Sequence, residues 1–475
     1  MGKRDLIITL NVFFVCMALV VTCSDGTASA QQASNSSTGI TTPADTLETA
    51  EQVYMHMRGL EQKKSFGDET LRSVTNNVLY IPRKIVRGVF VSAGHGAYLI
   101  DESKIIDKAS DFIYLYERRI GWYPVIAYSA SSGIAGGAKL FYNNMPIGSS
   151  LGGYYGQNGL WQVKFNAVHS GLLGKYVWRL KFTGKIKNRE NLKFYGIGSN
   201  PENDSRNAYN PGREEDYGLF AQRLSRLQLV SGIRPAEHWE LFYTVFYQKR
   251  DLSVPDDNDN ENIDKTFDVT LIPGIQNGAG TDRLVYNEIA ARYDTRRYRG
   301  QISPGVRVEG YVGISEGVGN STSRFLRSGL DTAFYIPVIK KNRLIVPRIV
   351  FDTVENIHDE ADVTFTDYPR QPSFRGTSSR SLLRNDNISV VPSLEYQWPL
   401  SFSIRGHVFM DYLLVSDTFE SLTFSQAPYA YGFGVDFHGF ENELARITVS
   451  HGSEGVRVQL TVGLKGHDND RTEWE

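Results

Sequence analysis

Between Ile388 and Trp398 the chain alternates with a period of two, Val390, Leu394, Tyr396 and Trp398 sharing one parity and Val391, Ser393, Glu395 and Gln397 the other. Successive side chains of a strand point to opposite faces, so the pattern specifies a β-strand with one apolar and one polar face. A second strand follows the Pro399-Leu400 break, with Phe402, Ile404, Val408, Met410 and Tyr412 set against Ser403, Arg405, His407 and Asp411. Each strand therefore brings a carboxylate, Glu395 or Asp411, to its polar side. Ahead of both stands Phe374-Arg375-Gly376, whose arginine offers five fixed donors to two acidic acceptors.

The alternation recurs from Trp122 onward. Trp161, Val163, Phe165 and Ala167 alternate with Gln162, Lys164 and Asn166, and Trp178, Leu180, Phe182 and Ile186 with Arg179, Lys181, Thr183 and Lys185. Near the end, Val456, Val458, Leu460, Val462 and Leu464 alternate with Arg457, Gln459, Thr461 and Gly463. Charged faces of this kind suit a wet lumen, although a soluble sandwich also alternates. Aromatic crowding on the apolar face, as in Tyr429, Tyr431, Phe433 and Phe437, reads as the interfacial girdle of a membrane barrel and decides between the two. The expected fold is all-β, a transmembrane antiparallel β-barrel of about 16 strands over residues 122–466. Beyond the leader no apolar run reaches the roughly 18 residues of a helical span.

Residues 1–30 read as a signal peptide: Lys3 and Arg4 precede the apolar run Leu6 to Val21, and Ala28-Ser29-Ala30 supplies the small-x-small cleavage pattern. A lipoprotein signal at Cys23 is the alternative, disfavoured by the size of Thr22. Both cysteines of the chain lie in this leader, so the mature product has neither a thiol nor a disulfide. Residues 31–121 are expected to be a disordered leader and a short, partly helical periplasmic segment, with a helix capped by Asp45-Thr46 and running through Glu51, Tyr54 and Met57 to about Lys64. Residues 467–475 form a polar C-terminal tail. A net charge of -2 supplies no field for nucleic acid.

The Arg375-Gly376 loop, Arg384-Asn385-Asp386, Glu395-Tyr396-x-x-Pro399 and Phe409-x-Asp411 together resemble the bacterial surface antigen family, the BamA/TamA-type outer-membrane assembly barrels. Asn191 to Asn200, Arg292-Tyr293-Asp294-Thr295-Arg296 and Ser303-Pro304-Gly305 are similar to further motifs of that family. The resemblance covers about Phe194 to Leu464. It implies an outer-membrane location, a role in envelope biogenesis, and as partners outer-membrane lipid and unfolded outer-membrane proteins or other envelope assembly components. It also implies a lumen loop lock, in which Arg375, beside Gly376, folds inward to pair with Glu395 and Asp411. The sequence departs from the family at Thr377, where an aromatic is usual, at Tyr412-Leu413, where a glycine is usual, and in its polar tail. Residues 31–121 show no β-α-α-β-β order of a POTRA module.

Each rival reading rests on its own residues. Three solvated charges in a water-filled pore are the bland alternative to the lock, each contributing under ~1 kcal/mol. The Arg/Lys-lined inner faces of residues 162–187 favour a passive porin-like channel. Gly313-Ile314-Ser315-Glu316-Gly317 matches a hydrolase nucleophile elbow, but no helix follows it, so Ser315 is assigned to a solvent loop and no enzyme is expected. Asp256 to Glu261 lacks the glycine and distal glutamate of an EF-hand loop, and the nine histidines show no ligand spacing, so neither a metal nor another cofactor is expected.

Overall fold

The computed structural model describes residues 114–462, apart from 117–118, 130–132, 145, 256–260, 276–278, 297–301, 339–342, 358–362, 370–373, 377–385, 402–403, 426, 439–442 and 454. The expected signal peptide, the leader, the helix from Asp45 to Lys64 and the polar tail lie outside the described residues. Among the described residues strand structure begins at Tyr114, ahead of Trp122.

One sheet holds eighteen strand segments. The first nine are β1 (Tyr114–Tyr116), β2 (Ile120–Ser129), β3 (Gly133–Asn144), β4 (Ile147–Gly156), β5 (Trp161–Leu173), β6 (Tyr176–Phe194), β7 (Gly218–Ala236), β8 (Trp239–Ser253) and β9 (Ala279–Asp294). The rest are β10 (Gly305–Gly317), β11 (Phe325–Val338), β12 (Arg343–Asn356), β13 (Ile388–Ser401), β14 (Ile404–Tyr412), β15 (Leu414–Ser416), β16 (Tyr429–His438), β17 (Glu443–Gly452) and β18 (Gly455–Val462). From β1 to β14 each strand pairs antiparallel with its successor, and β14 pairs onward with β16. β15 continues β14 across Leu413, because both pair with β13 in one register, Ser393 opposite Asp411 and Val390 opposite Leu414. With β14 and β15 taken as one strand and the three-residue β1 set aside, sixteen full strands remain.

The sheet curls, as one contact demonstrates. Phe365, on the connection after β12, has its ring centre 4.8 Å from Phe194 of β6 and 5.0 Å from Phe220 of β7. In a flat sheet six strand spacings would separate those elements by roughly 28 Å. These rings belong to an apolar cluster with Leu252, Tyr286 and Phe325, roofed by the single-turn helix α1 (Ile263–Thr266). Arg250 of β8 clips the same connection by bonding Asp367 at 2.8 and 2.6 Å. The long connections therefore fold over one end of the sheet. Opposite them the turns are short, as between Leu173 and Tyr176 and between Ala236 and Trp239.

Polarity is inverted relative to a soluble protein. Glu309 is 1% exposed and Asp411 and Asp436 are 0% exposed on the inner face, whereas Ile289, Val456 and Val458 on the outer face are 64%, 73% and 74% exposed. A soluble monomer does not present apolar area so continuously. Outward Trp239 packs on Tyr293 at 5.0 Å and Trp398 stacks on Tyr396 at 5.6 Å at the short-turn end, while Tyr429 and Tyr431 stack near the other end. Amphipathic rings at both rims are what two water interfaces require. Among the described residues no helix is long and apolar enough to cross a membrane.

The assignment of Ser315 to a solvent loop is corrected. Gly313 to Gly317 is part of β10, with Ser315 opposite Tyr286 on one side and Phe325 on the other, and Ser315 is 0% exposed. The period-two pattern simply continues through the motif.

Candidate functional site

Arg375 lies on the connection from β12 to β13, and its neighbours explain how the loop is held there. Phe374 inserts among Val391 of β13, Leu413, Val415 of β15 and Ala430 of β16. Leu413 thus fills a pocket at the position where the resemblance leads one to expect glycine. Gly376 allows no side chain, since a Cβ there would come within 2.6 Å of the Phe374 ring and 2.7 Å of the Ala430 Cβ.

Between these two anchors the guanidinium reaches both acids. Nε and Nη2 of Arg375 donate to the two Asp411 oxygens at 2.8 and 2.7 Å, and the Arg375 backbone N–H donates to Asp411 Oδ2 at 3.1 Å. Nη1 donates to Glu395 Oε2. The other Glu395 oxygen accepts from Gln397 Nε2 at 2.6 Å, and the Arg375 carbonyl accepts from Ser450 Oγ of β17 at 3.0 Å. Residues 375, 376, 395 and 411 therefore meet at one point. Both oxygens of Asp411 and both of Glu395 thereby accept hydrogen bonds, as buried ions require. Arg384, Asn385 and Thr377 lie outside the described residues.

Four contacts in this half of the barrel are not apparent from the motifs. Phe409 shares the inward parity and is directly opposite Glu395, placing its ring 3.6 Å under the Arg375 guanidinium. Next to it, fully buried Asp436 accepts from Arg405 Nε and Arg446 Nε, each at 2.8 Å, with His407 Nδ1 at 3.2 Å. Farther round, ion pairs cross six strands in sequence: Arg234 to Glu240, Glu240 to Arg292, Arg292 to Glu309, Glu309 to Arg307, Arg307 to Asp331 and Asp331 to Arg348. The inward parity of these residues was a signal that sequence offers; which acid meets which arginine was not. At the long-loop end, Arg206 bonds Asp386 at 2.9 and 2.8 Å and Asp204 at 2.9 and 2.6 Å, tying the β6–β7 connection to the β12–β13 connection. Burial raises the Asp204 pKa, but the hydrogen bonds and charge of Arg206 outweigh it and hold the carboxyl below its usual range.

Neither the protein-family models nor the curated proteins give a match to this chain. Among solved structures, the crystal structure of BamA from Haemophilus ducreyi lacking POTRA domains 1–3 aligns with a TM-score of 0.52 over 72% of this chain and 70% of that one, at 12% identity. The fold is that of a BamA-type β-barrel. CdiB from Acinetobacter baumannii aligns over 72% of this chain and 59% of its own, with a TM-score of 0.43 and 8% identity.

The inner wall of this BamA-type barrel divides by charge. From Arg234 at the end of β7 round to β17 the ion pairs described above join arginine to carboxylate. From β3 to β7 the inner parity carries Lys139, Lys164, Arg179, Lys181, Lys185, Lys187, Arg189 and Arg226. Glu190 is the sole carboxylate in these five strands, and it shares the outward parity of Asn188, which donates to it at 3.2 Å.

Proposed function

We propose that this chain is an outer-membrane barrel of the assembly and translocation type, acting in envelope biogenesis on unfolded outer-membrane proteins without turning over any bond. The observation that supports the reading is that Arg375, on the β12–β13 connection, pairs with the inward carboxylates Glu395 and Asp411, as a lumen loop lock would. An ionic anchor of Arg375 on two inward carboxylates suits a part that stays in place while the barrel seam or the nearby bilayer is worked on. Ser315 supports no hydrolase, since its hydroxyl lies within a continuous ladder and not at a strand-to-helix turn. Depletion of the protein in its native host tests the reading, with folded outer-membrane protein levels as the readout. A fall in several unrelated barrels is expected; an unchanged profile overturns it.

A passive channel is the second reading, favoured by the cationic inner wall of β5 to β7. Planar bilayers separate the two. The locked loop predicts small, irregular conductance, whereas large, steady, anion-selective steps would establish the channel.

A further inference from the structure

The connection from β15 to β16, residues 417–428, turns back against the outside of the wall. Phe419 stacks on Phe351 of β12 with ring centres 5.6 Å apart, and Phe424 meets Tyr412 of β14 edge-on at 5.9 Å. Both receiving rings have the outward parity. Phe351 is opposite Val390 and Tyr412 is opposite Tyr429, whereas their neighbours Val350 and Asp411 face the inner cluster and Arg375. Phe419 comes only three residues after Ser416, the end of β15, and β13 lies between β15 and β12. To bring its ring to Phe351 the chain has to cross β13 on the outside.

The strand residues beneath that crossing report it. Ile388 of β13 and Leu414 of β15 share the outward parity, Ile388 opposite Ser416 and Leu414 opposite Val390, yet they are only 4% and 5% exposed. Farther along β13, Leu394 of the same parity is 54% exposed. Phe419 and Phe424 themselves remain 57% and 63% exposed, so each ring meets the wall with part of its surface and presents the rest away from the barrel.

The polar side chains between the two rings bond to one another. Ser421 Oγ donates to Asp417 Oδ1 at 2.8 Å, meets Thr418 Oγ1 at 2.7 Å, and bonds the Ser416 hydroxyl at the end of β15. The backbone closes two turns, the Leu422 N–H donating to the Phe419 carbonyl at 3.4 Å and the Ala427 N–H to the Phe424 carbonyl at 3.3 Å. From Phe424 a line of rings continues through Tyr412 to Tyr429 at 6.5 Å and on to Tyr431 at 6.4 Å, which are outward rings of the rim. Irregular backbone carrying Asp417 and Glu420 does not enter hydrocarbon, where unsatisfied polar groups are too costly. Apolar rings do enter, to about 5–10 Å below the headgroups. The boundary between headgroups and acyl chains accepts both.

We propose that the β15–β16 connection is a membrane-surface anchor, with Phe419 and Phe424 inserted at the headgroup–acyl boundary of the leaflet at the long-loop end. Lipid is the occupant because the rings extend the lipid-facing wall without a break. The anchor fixes the height in the bilayer of the sector from β12 to β16, the same sector that holds Arg375, and it is independent of what the barrel handles.

The test reads the surroundings of position 424 in the full chain carrying Cys16→Ser, Cys23→Ser and Phe424→Cys, labelled with the environment-sensitive dye NBD and reconstituted in phosphatidylcholine vesicles. Heat-dependent gel mobility selects the folded protein. Phosphatidylcholine brominated near the headgroup end of its chains should quench the label by about twofold or more, and aqueous iodide should quench it far less than it quenches the free dye. Full quenching by iodide with none by the brominated lipid places the ring in water and overturns the proposal. Shielding from both quenchers also overturns it, because the ring would then be buried against protein, which in such vesicles is a second copy of this chain. Unaltered protein gives an independent measurement should the labelled variant fold poorly. Phosphatidylcholine with a diazirine near the headgroup end of one chain should, on illumination, leave adducts within residues 417–425, mapped by mass spectrometry. Adducts on Tyr429 or Tyr431 with none on residues 417–425 would remove the anchor.

Discussion

The Arg375 guanidinium stands 3.6 Å over the ring centre of Phe409, and Phe409 is the residue directly across the ladder from Glu395. The cation is therefore held by two carboxylates and by the negative face of an aromatic ring at once. Phe409→Leu keeps an apolar side chain but removes the ring quadrupole, and is expected to reduce the stability of the loop's inward position by on the order of 1–2 kcal/mol. Protease protection of the β12–β13 connection measures it, with Phe409→Tyr retaining protection. Equal protection in the leucine variant would mean that the ring contributes only bulk.

Arg375→Ala leaves Glu395 and Asp411 on adjacent strands without their cation. Removing one partner of a well-buried pair costs about 3–5 kcal/mol, a figure that lumen hydration reduces. Lower folded yield and faster cutting between Gly376 and Asn387 are expected, with Arg375→Lys intermediate because an ammonium lacks the bidentate fork. A double-mutant cycle with Asp411→Asn should show coupling. Strict additivity would remove the lock as an explanation.

Arg292 lies between Glu240 and Glu309, with side chains 4%, 3% and 1% exposed. Arg292→Ala removes a shared partner from two buried carboxylates, leaving Glu240 with Arg234 and Glu309 with Arg307, and is expected to lower the folded yield, whereas Arg324→Ala, at a pair with both side chains about half exposed, should stay within ~1 kcal/mol of the parent. Comparable losses at the two sites, measured as the folded fraction on unboiled gels, would contradict the distinction between inner and outer ion pairs.

The Arg206 clip has a defined pH window. Asp204 is held below its usual pKa by Arg206, so its contribution to loop order is complete at neutral pH, above the unfolded value of about 3.9, and is lost only as pH falls through the still lower folded value. Hydrogen exchange of the β6–β7 connection should be flat from neutral pH down to about pH 4, after correction for intrinsic rates, and rise below it. A rise already near about pH 6 would assign the opening to another group.

Continuous antiparallel ladders with an apolar outer face resist detergent, so the extracted protein should give β-type circular dichroism and migrate faster on gels unboiled than boiled. A monomer soluble in detergent-free buffer would contradict the membrane barrel.

Strand parity was legible in the chain because the direction of a side chain on a strand is a local property. Alternation alone separates Leu394, Tyr396 and Trp398, which face outward, from buried Glu395 and Gln397, and it places Asp411 and Asp436 inside. The Phe374-Arg375-Gly376 loop stood out beside two inward acids for the same reason. Motif spelling without parity misled at Ser315, where five residues match an elbow that the ladder never forms. Phe409 was legible only as a motif residue, because an aromatic on a polar parity has no explanation until the cation above it is seen. Other relationships depend on non-local geometry. Arg206 meets Asp386 at a sequence separation of 180 residues only because the sheet curls and the connections fold over its end. Lys164, Lys185 and Arg226 form a row only because turn lengths fix three strands in one register, and a one-residue slip would turn Lys185 to the lipid. Local stereochemistry decides which way a residue faces; the curl and register of the whole sheet decide what it faces.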